Sequence, residues 1–184
     1  PGFSRCDRTA SLASARRSLS CFGKLSNLKN QPSTFLTMSF SADSALEYLE
    51  RAHRKDRLAH AYLISGPAGS GKSVVAARLA ALLNKTTPEK VLHAQAPDVF
   101  VTEPASRSRK IVVDQIRGLE RALQLRSTGN HKKIGIIRDA DRMQMQAANA
   151  FLKTLEEPPQ NSLLLLLTTL PEALPETIVS RCLS

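Results

Sequence analysis

Two periods of apolar residues trade places along the chain. Residues 42–54 repeat at helical spacing, with Leu46, Leu49 and Ala52 on one side and Glu47, Glu50, Arg51 and Arg54 elsewhere. Ser44 and Glu47 offer a capping box, and Ser41 is a competing N-cap. The apolar run up to Ser65 predicts a first strand. Helical spacing returns over residues 74–84, with Asn84 as the expected C-cap. Thr87-Pro88-Glu89 puts proline at a first helical position and opens a short helix, which Pro97 ends. Residues 98–102 predict a second strand. A helix over 114–125 offers Ile116, Leu119, Ala122 and Leu123 to a core, and residues 127–132 form a loop. Residues 133–138 read as a fully buried third strand. A helix over 144–157 is stopped by Pro158-Pro159, and residues 162–168, with five consecutive leucines, form a fourth strand. Pro175 starts a last short helix running to Arg181. Strands alternating with helices predict an α/β fold with a parallel sheet and helices on both faces.

The junction after the first strand carries the chemistry. Gly66-Pro67-Ala68-Gly69-Ser70-Gly71-Lys72-Ser73 fits G-x-x-x-x-G-K-[ST], with a strand before it and a helix after it. Glycines let the backbone turn its N–H groups toward one point, and the helix aims its positive end there. Lys72 is placed for the β- and γ-phosphates of ATP and Ser73 for Mg²⁺. A second Mg²⁺ ligand is expected at the end of a neighbouring strand. There the usual pair of acids is replaced by Arg138-Asp139, so Asp139 is the candidate ligand. Asp139 and Asp141 also read as loop and N-cap residues. Thr168 and Thr169 end the fourth strand, where they either meet a γ-phosphate and its water or make turn contacts. Arg181 either caps the last helix or acts as an arginine finger toward a nucleotide on a neighbouring subunit.

Composition narrows the classes. The 184 residues suit one domain with an appendage, and 42% hydrophobic content is that of a globular chain. Aromatics are 4% with no Trp, which argues against a base-stacking surface. No apolar run reaches membrane-span length. The net charge is +10, and residues 1–38 hold Arg5, Arg8, Arg16, Arg17, Lys24 and Lys29 against Asp7 alone. Residues 1–37 are therefore expected to be a disordered basic tail, of transit-peptide composition or upstream sequence before Met38, with residues 38–184 as the globular domain. Cys6, Cys21 and Cys182 match no zinc or disulfide pattern, so no zinc is expected, and the sparse odd count suits a reducing cytoplasm.

Four stretches together resemble a known family: residues 60–66 leading into the phosphate loop, Ala147-Ala148-Asn149-Ala150-Phe151-Leu152-Lys153-Thr154-Leu155-Glu156-Glu157-Pro158-Pro159, Thr168-Thr169, and Ser180-Arg181-Cys182. Residues 38–184 are similar to the AAA+ ATPase domain of bacterial replicative clamp-loader subunits. The resemblance implies a P-loop NTPase fold, three-layer α/β/α, with strand order 5-1-4-3-2 and truncation before the fifth strand, the lid and the collar. It implies ATP with Mg²⁺, partnership with other clamp-loader subunits in a hetero-pentamer, a sliding clamp and primed DNA, and Arg181 acting in trans. The family's zinc-binding cysteines are absent between residues 84 and 98. Arg138 at the usual acid position predicts weak or absent hydrolysis by the isolated chain. An independent P-loop nucleotide or metabolite kinase and a non-hydrolysing nucleotide-binding scaffold are the alternatives.

Overall fold

The computed structural model describes residues 41–104, 109–125 and 131–184. The expected tail over 1–37 lies outside the described residues, as does most of the loop expected over 127–132. The elements, in chain order, are α1 Ala42–Arg54, β1 Ala61–Ser65, α2 Lys72–Asn84, α3 Pro88–Leu92 and β2 Val99–Thr102. They continue with α4 Val113–Gln124, β3 Lys133–Ile137, α5 Met145–Glu156, β4 Ser162–Thr168 and α6 Glu176–Val179. Short 3-10 turns at Ala140–Arg142 and Pro171–Ala173 follow β3 and β4. The last helix is thus shorter than expected, and Arg181 lies two residues beyond it.

The sheet is parallel throughout, in the order β1-β4-β3-β2. β4 lies between β1 and β3 and is buried from Leu163 to Thr168. Side chains of a strand alternate between its two faces, so the leucine run is divided. Leu163, Leu165 and Leu167 join Tyr62, Ile134 and Ile136 against Leu49 of α1, Val75 and Leu79 of α2, and Val91 of α3. Leu164 and Leu166 join Ala61, Leu63 and Ile137 against Leu119 and Leu123 of α4, Phe151 and Leu155 of α5, and Ile178 of α6. Each fully buried leucine contributes at most about 1.5–3 kcal/mol. This double burial explains why β4 reads as a continuous apolar run rather than an alternating one. Gly135 makes the second face possible. A Cβ there would lie 3.0 Å from Leu164 Cδ2 and 3.3 Å from Leu119 Cδ1.

Beyond the four strands, Leu183 forms a single parallel bridge to Tyr62 on the free edge of β1. Its N–H donates to the Ala61 carbonyl at 3.0 Å, and its carbonyl accepts from Leu63 N at 2.8 Å. That is the place of strand 5 in the expected order.

Local caps resolve two sequence ambiguities. Ser41, not Ser44, caps α1, its hydroxyl accepting from Ser44 N at 3.2 Å. Asn84 is not the cap of α2. The left-handed cap is Lys85 at φ 50, while Asn84 is the buried last helical residue. The Asn84 amide donates to the Lys132 carbonyl at 2.8 Å and accepts from Lys132 N at 3.0 Å, tying α2 to the start of β3. Lys133 is buried in β3, and its Nζ donates to the Ala122 carbonyl in the last turn of α4, where the helix dipole favours a cation.

Candidate functional site

Parallel strands deliver all their carboxyl ends to one edge, where an open α/β sheet binds its ligands. Three of the expected site stretches start there. The phosphate loop leaves β1, Arg138 and Asp139 follow β3, and Thr169 follows β4. A cavity of about 740 Å³ lies among them, within the size range of small-molecule sites. Its lining includes Ala68, Gly69, Ser70, Gly71, Lys72, Ser73, Asp139 and Thr169.

The loop has the shape the motif demands. Gly69 at φ 78 and Gly71 at φ 83 occupy left-handed backbone that other residues adopt only with strain. Gly66 N donates to the Thr168 carbonyl at 3.2 Å, which anchors the loop to the end of β4. Gly66 and Pro67 contribute their carbonyls, which accept from Lys72 Nζ at 2.6 and 2.7 Å. The Lys72 ammonium therefore closes the loop on itself and is poised at its centre. No side chain caps the N-terminus of α2 and no acid lies in its first turn. Its leading N–H groups and dipole suit an anion.

The two threonines separate. Thr169 lines the cavity. Thr168 is fully buried behind it and donates to Asp141 Oδ1 at 2.6 Å. Asp141 also accepts from Thr169 N at 3.2 Å, and the Thr168 hydroxyl accepts from Leu170 N at 3.1 Å. Thr168 and Asp141 thus fasten the turn after β3 to the end of β4 and hold Thr169 in place. Asp139 adopts φ 50 as the residue before the first 3-10 turn.

Sequence reasoning missed the partner of Arg138. Thr102 of β2 pairs in register with Ile137 of β3, so the next residues, Glu103 and Arg138, stand side by side. Arg138 Nη1 lies 3.1 Å from Glu103 Oε2, and Nη2 donates to the Leu92 carbonyl at 3.1 Å. Gln115 Nε2 donates to the Glu103 carbonyl at 2.9 Å, fixing the acid's backbone against the start of α4. Lining up the carboxyl ends of the two strands would have exposed the pair. Arg109 and Arg142 also line the cavity.

This lining is rich in cations, which suits a phosphate chain and offers a divalent cation few carboxylates. Lys72, Arg109, Arg138 and Arg142 face the cavity against two carboxylates, Glu103 and Asp139, and Glu103 is engaged by Arg138. Among the described residues, no cluster of three or more His, Cys, Asp or Glu side chains could hold a metal ion. A hard cation such as Mg²⁺ seeks oxygen ligands, and Arg138, next to Asp139 in sequence and lining the same cavity, brings like charge against it.

Arg181 lies apart from this cavity. Its Nη1 donates to the Thr177 carbonyl at 2.9 Å, and its Nη2 lies 2.7 Å from Glu156 Oε1.

The family model described as DNA polymerase III, delta subunit, matches residues 41–184. The chain is 38% identical over 136 residues to DNA polymerase III subunit delta' of Pseudomonas aeruginosa, covering 67% of this chain and 42% of that protein. It is 35% identical over 148 residues to subunit delta' of Bacillus subtilis, covering 74% of this chain and 44% of that one. Among solved structures, it is similar to a DNA polymerase III gamma subunit-related protein of Thermotoga maritima, with TM-score 0.58 and 28% identity, covering 78% of this chain and 44% of the other. The chain thus spans less than half the length of each.

Proposed function

From the premise that the chain belongs to the DNA polymerase III delta subunit family, we propose that it is the nucleotide-binding AAA+ module of a bacterial replicative clamp-loader subunit of the delta-prime kind. One observation carries the nucleotide part. A complete phosphate loop, with Lys72 at its centre and an uncapped helix N-terminus, opens on a cavity rich in cations. The nucleotide is ATP, held by residues 66–73, with Thr169 at the γ-phosphate end. The cation-rich lining of the cavity opposes the Mg²⁺ expected on Ser73 and Asp139.

The module works in the cytoplasm through neighbours: other clamp-loader subunits, a sliding clamp and primed DNA. Arg181 is offered in trans to a nucleotide on the next subunit. Its exposure, and its place away from this chain's own cavity, support that reading. Hydrolysis by the isolated chain is weak or absent, because Arg138 occupies the position of a metal-binding acid and no partner supplies a finger.

Thermal unfolding of the full chain against rising ATP tests the binding. A ligand that binds only the folded state raises the midpoint with concentration. No shift at millimolar ATP removes the nucleotide reading. Rapid turnover by the chain alone removes the clamp-loader reading in favour of a free-standing P-loop enzyme.

A further inference from the structure

We propose that the cavity binds the nucleotide's triphosphate chain without a divalent cation, with the Arg138 guanidinium supplying the charge a metal ion would bring. The inference rests on the nucleotide-binding reading above and specifies the ionic form of the ligand.

Charge balance is the first argument. Among the described residues, Lys72, Arg109, Arg138 and Arg142 line one cavity with only Glu103, already paired with Arg138, and Asp139 against them. A triphosphate stripped of its metal is more anionic by the full charge of that ion, and a cationic cavity favours the more anionic form. Preorganisation is the second. Arg138 is held by Glu103 and by the Leu92 carbonyl, both at 3.1 Å, so little side-chain freedom remains to be lost on binding. A fixed, planar guanidinium matches phosphate oxygens with several donors at once. The third is an unsatisfied donor. Among the described residues, Arg138 Nε is buried without a hydrogen-bond partner, on a side chain that lines the cavity. Such an orphan costs about 1–3 kcal/mol and marks the Arg138 side chain as incompletely satisfied at the cavity wall.

The experiment titrates ATP into the full chain by calorimetry, once in EDTA and once with excess MgCl₂, and repeats both with Arg138→Gln. Circular dichroism melting shows whether the variant is folded. For the wild type, the affinity in EDTA equals or exceeds that in Mg²⁺, within about threefold. Arg138→Gln, if folded, loses roughly fivefold or more in EDTA, and Mg²⁺ restores part of the loss. If it does not fold, the wild-type pair of titrations decides alone. Wild-type binding that falls about tenfold or more on adding EDTA overturns the metal-free inference and leaves the nucleotide reading intact. A folded Arg138→Gln that binds unchanged in EDTA also overturns it. Absence of binding in both buffers overturns the nucleotide reading itself.

Discussion

The carboxyl edge of the sheet has two halves that meet the same cavity with different equipment. The β1–β4 half carries a complete phosphate loop, anchored where Gly66 N meets the Thr168 carbonyl and closed by Lys72 on two of its own carbonyls. The β3–β2 half carries an ion pair, Arg138–Glu103, where a hydrolytic site would present a free acid for a metal ion. The first half is built to hold phosphates, and the second brings more positive charge rather than a metal. On the reading proposed above, binding and hydrolysis are thus separable in this fold: a nucleotide braces the loop against β4 as a structural ligand, and hydrolysis is left to other subunits.

The sharpest way to break this contrast is Lys72→Ala. The ammonium is the one cation centred in the loop, and its loss removes charge-assisted bonds to phosphate, so ATP affinity should fall roughly 100-fold. The ATP-dependent rise in melting temperature should vanish with it. If Lys72→Ala binds ATP as the wild type does, the cations of the β3–β2 half carry the affinity and the division of labour is wrong.

Thr168→Val comes next in size. The substitution removes the hydroxyl that donates to Asp141 Oδ1, which keeps only Thr169 N, and takes the acceptor from Leu170 N behind the β1–β4 half. Unpaired polar groups of this kind cost about 1–3 kcal/mol. Thr169→Val removes a hydroxyl that faces the cavity, and its effect on stability without nucleotide should stay within about 0.5 kcal/mol. Denaturant melts of the two variants, with and without ATP, separate the roles. Thr168→Val should lower stability in both conditions, and Thr169→Val should lower only the stabilisation by ATP. Equal losses without nucleotide would show that the two positions are not divided as the hydrogen bonds indicate.

The order of the elements was legible because helical spacing marks α1 and α4, while short, unbroken apolar runs bounded by turn residues mark the buried strands β3 and β4. β4 was read to the residue, since its leucine run is bounded by Asn161 before it and Thr169 and Leu170 after it. The phosphate loop was legible because motif, strand and helix are contiguous. What escaped depends on register between distant segments. Asn84 looked like a cap because Asn favours helix ends, yet its amide reaches Lys132, 48 residues away. Arg138 looked like a lone substitution until β2 placed Glu103 beside it. Thr168 looked like Thr169 until the turn after β3 brought Asp141 to its hydroxyl. Tertiary pairing decides such polar contacts, and no local spacing encodes it.

The two halves should also differ in alkali. Burial pushes the Cys182 thiol from 9.0 up to about 11. Burial likewise raises Tyr62, against the opposing hydrogen bond from Ala59 N. Both lie beside the Leu183 bridge on the β1 edge. A group raised in the fold favours its neutral form there. The Cys182 contribution is full below pH 9 and is lost as pH climbs through about 11. Hydrogen exchange at rising pH, corrected for intrinsic rates, should show Leu63 and Leu183 amides losing protection before those of β3. Simultaneous loss in both would show that the edge does not loosen separately.

Arg181→Ala is expected to change this chain least. Its guanidinium pairs with Glu156 at 2.7 Å, but the side chains are 36% and 51% exposed, and a pair so solvated contributes about 0–1 kcal/mol. Glu156→Gln breaks the same pair while keeping the arginine, so the two variants should melt alike. They should part company in the full-length subunit assembled with its partners. If Arg181 reaches a neighbour's γ-phosphate, Arg181→Ala should lower the complex's ATPase by up to about 10³, whereas Glu156→Gln should leave it near wild type. Mixing mutant and wild-type subunits would then locate the defect in the adjacent nucleotide site rather than in the cavity beside Lys72. Equal activity of the two variants would reduce Arg181 to a surface partner of Glu156. A stability loss well above about 1 kcal/mol for Arg181→Ala alone would mean that its bond to the Thr177 carbonyl, not the ion pair, holds the end of α6.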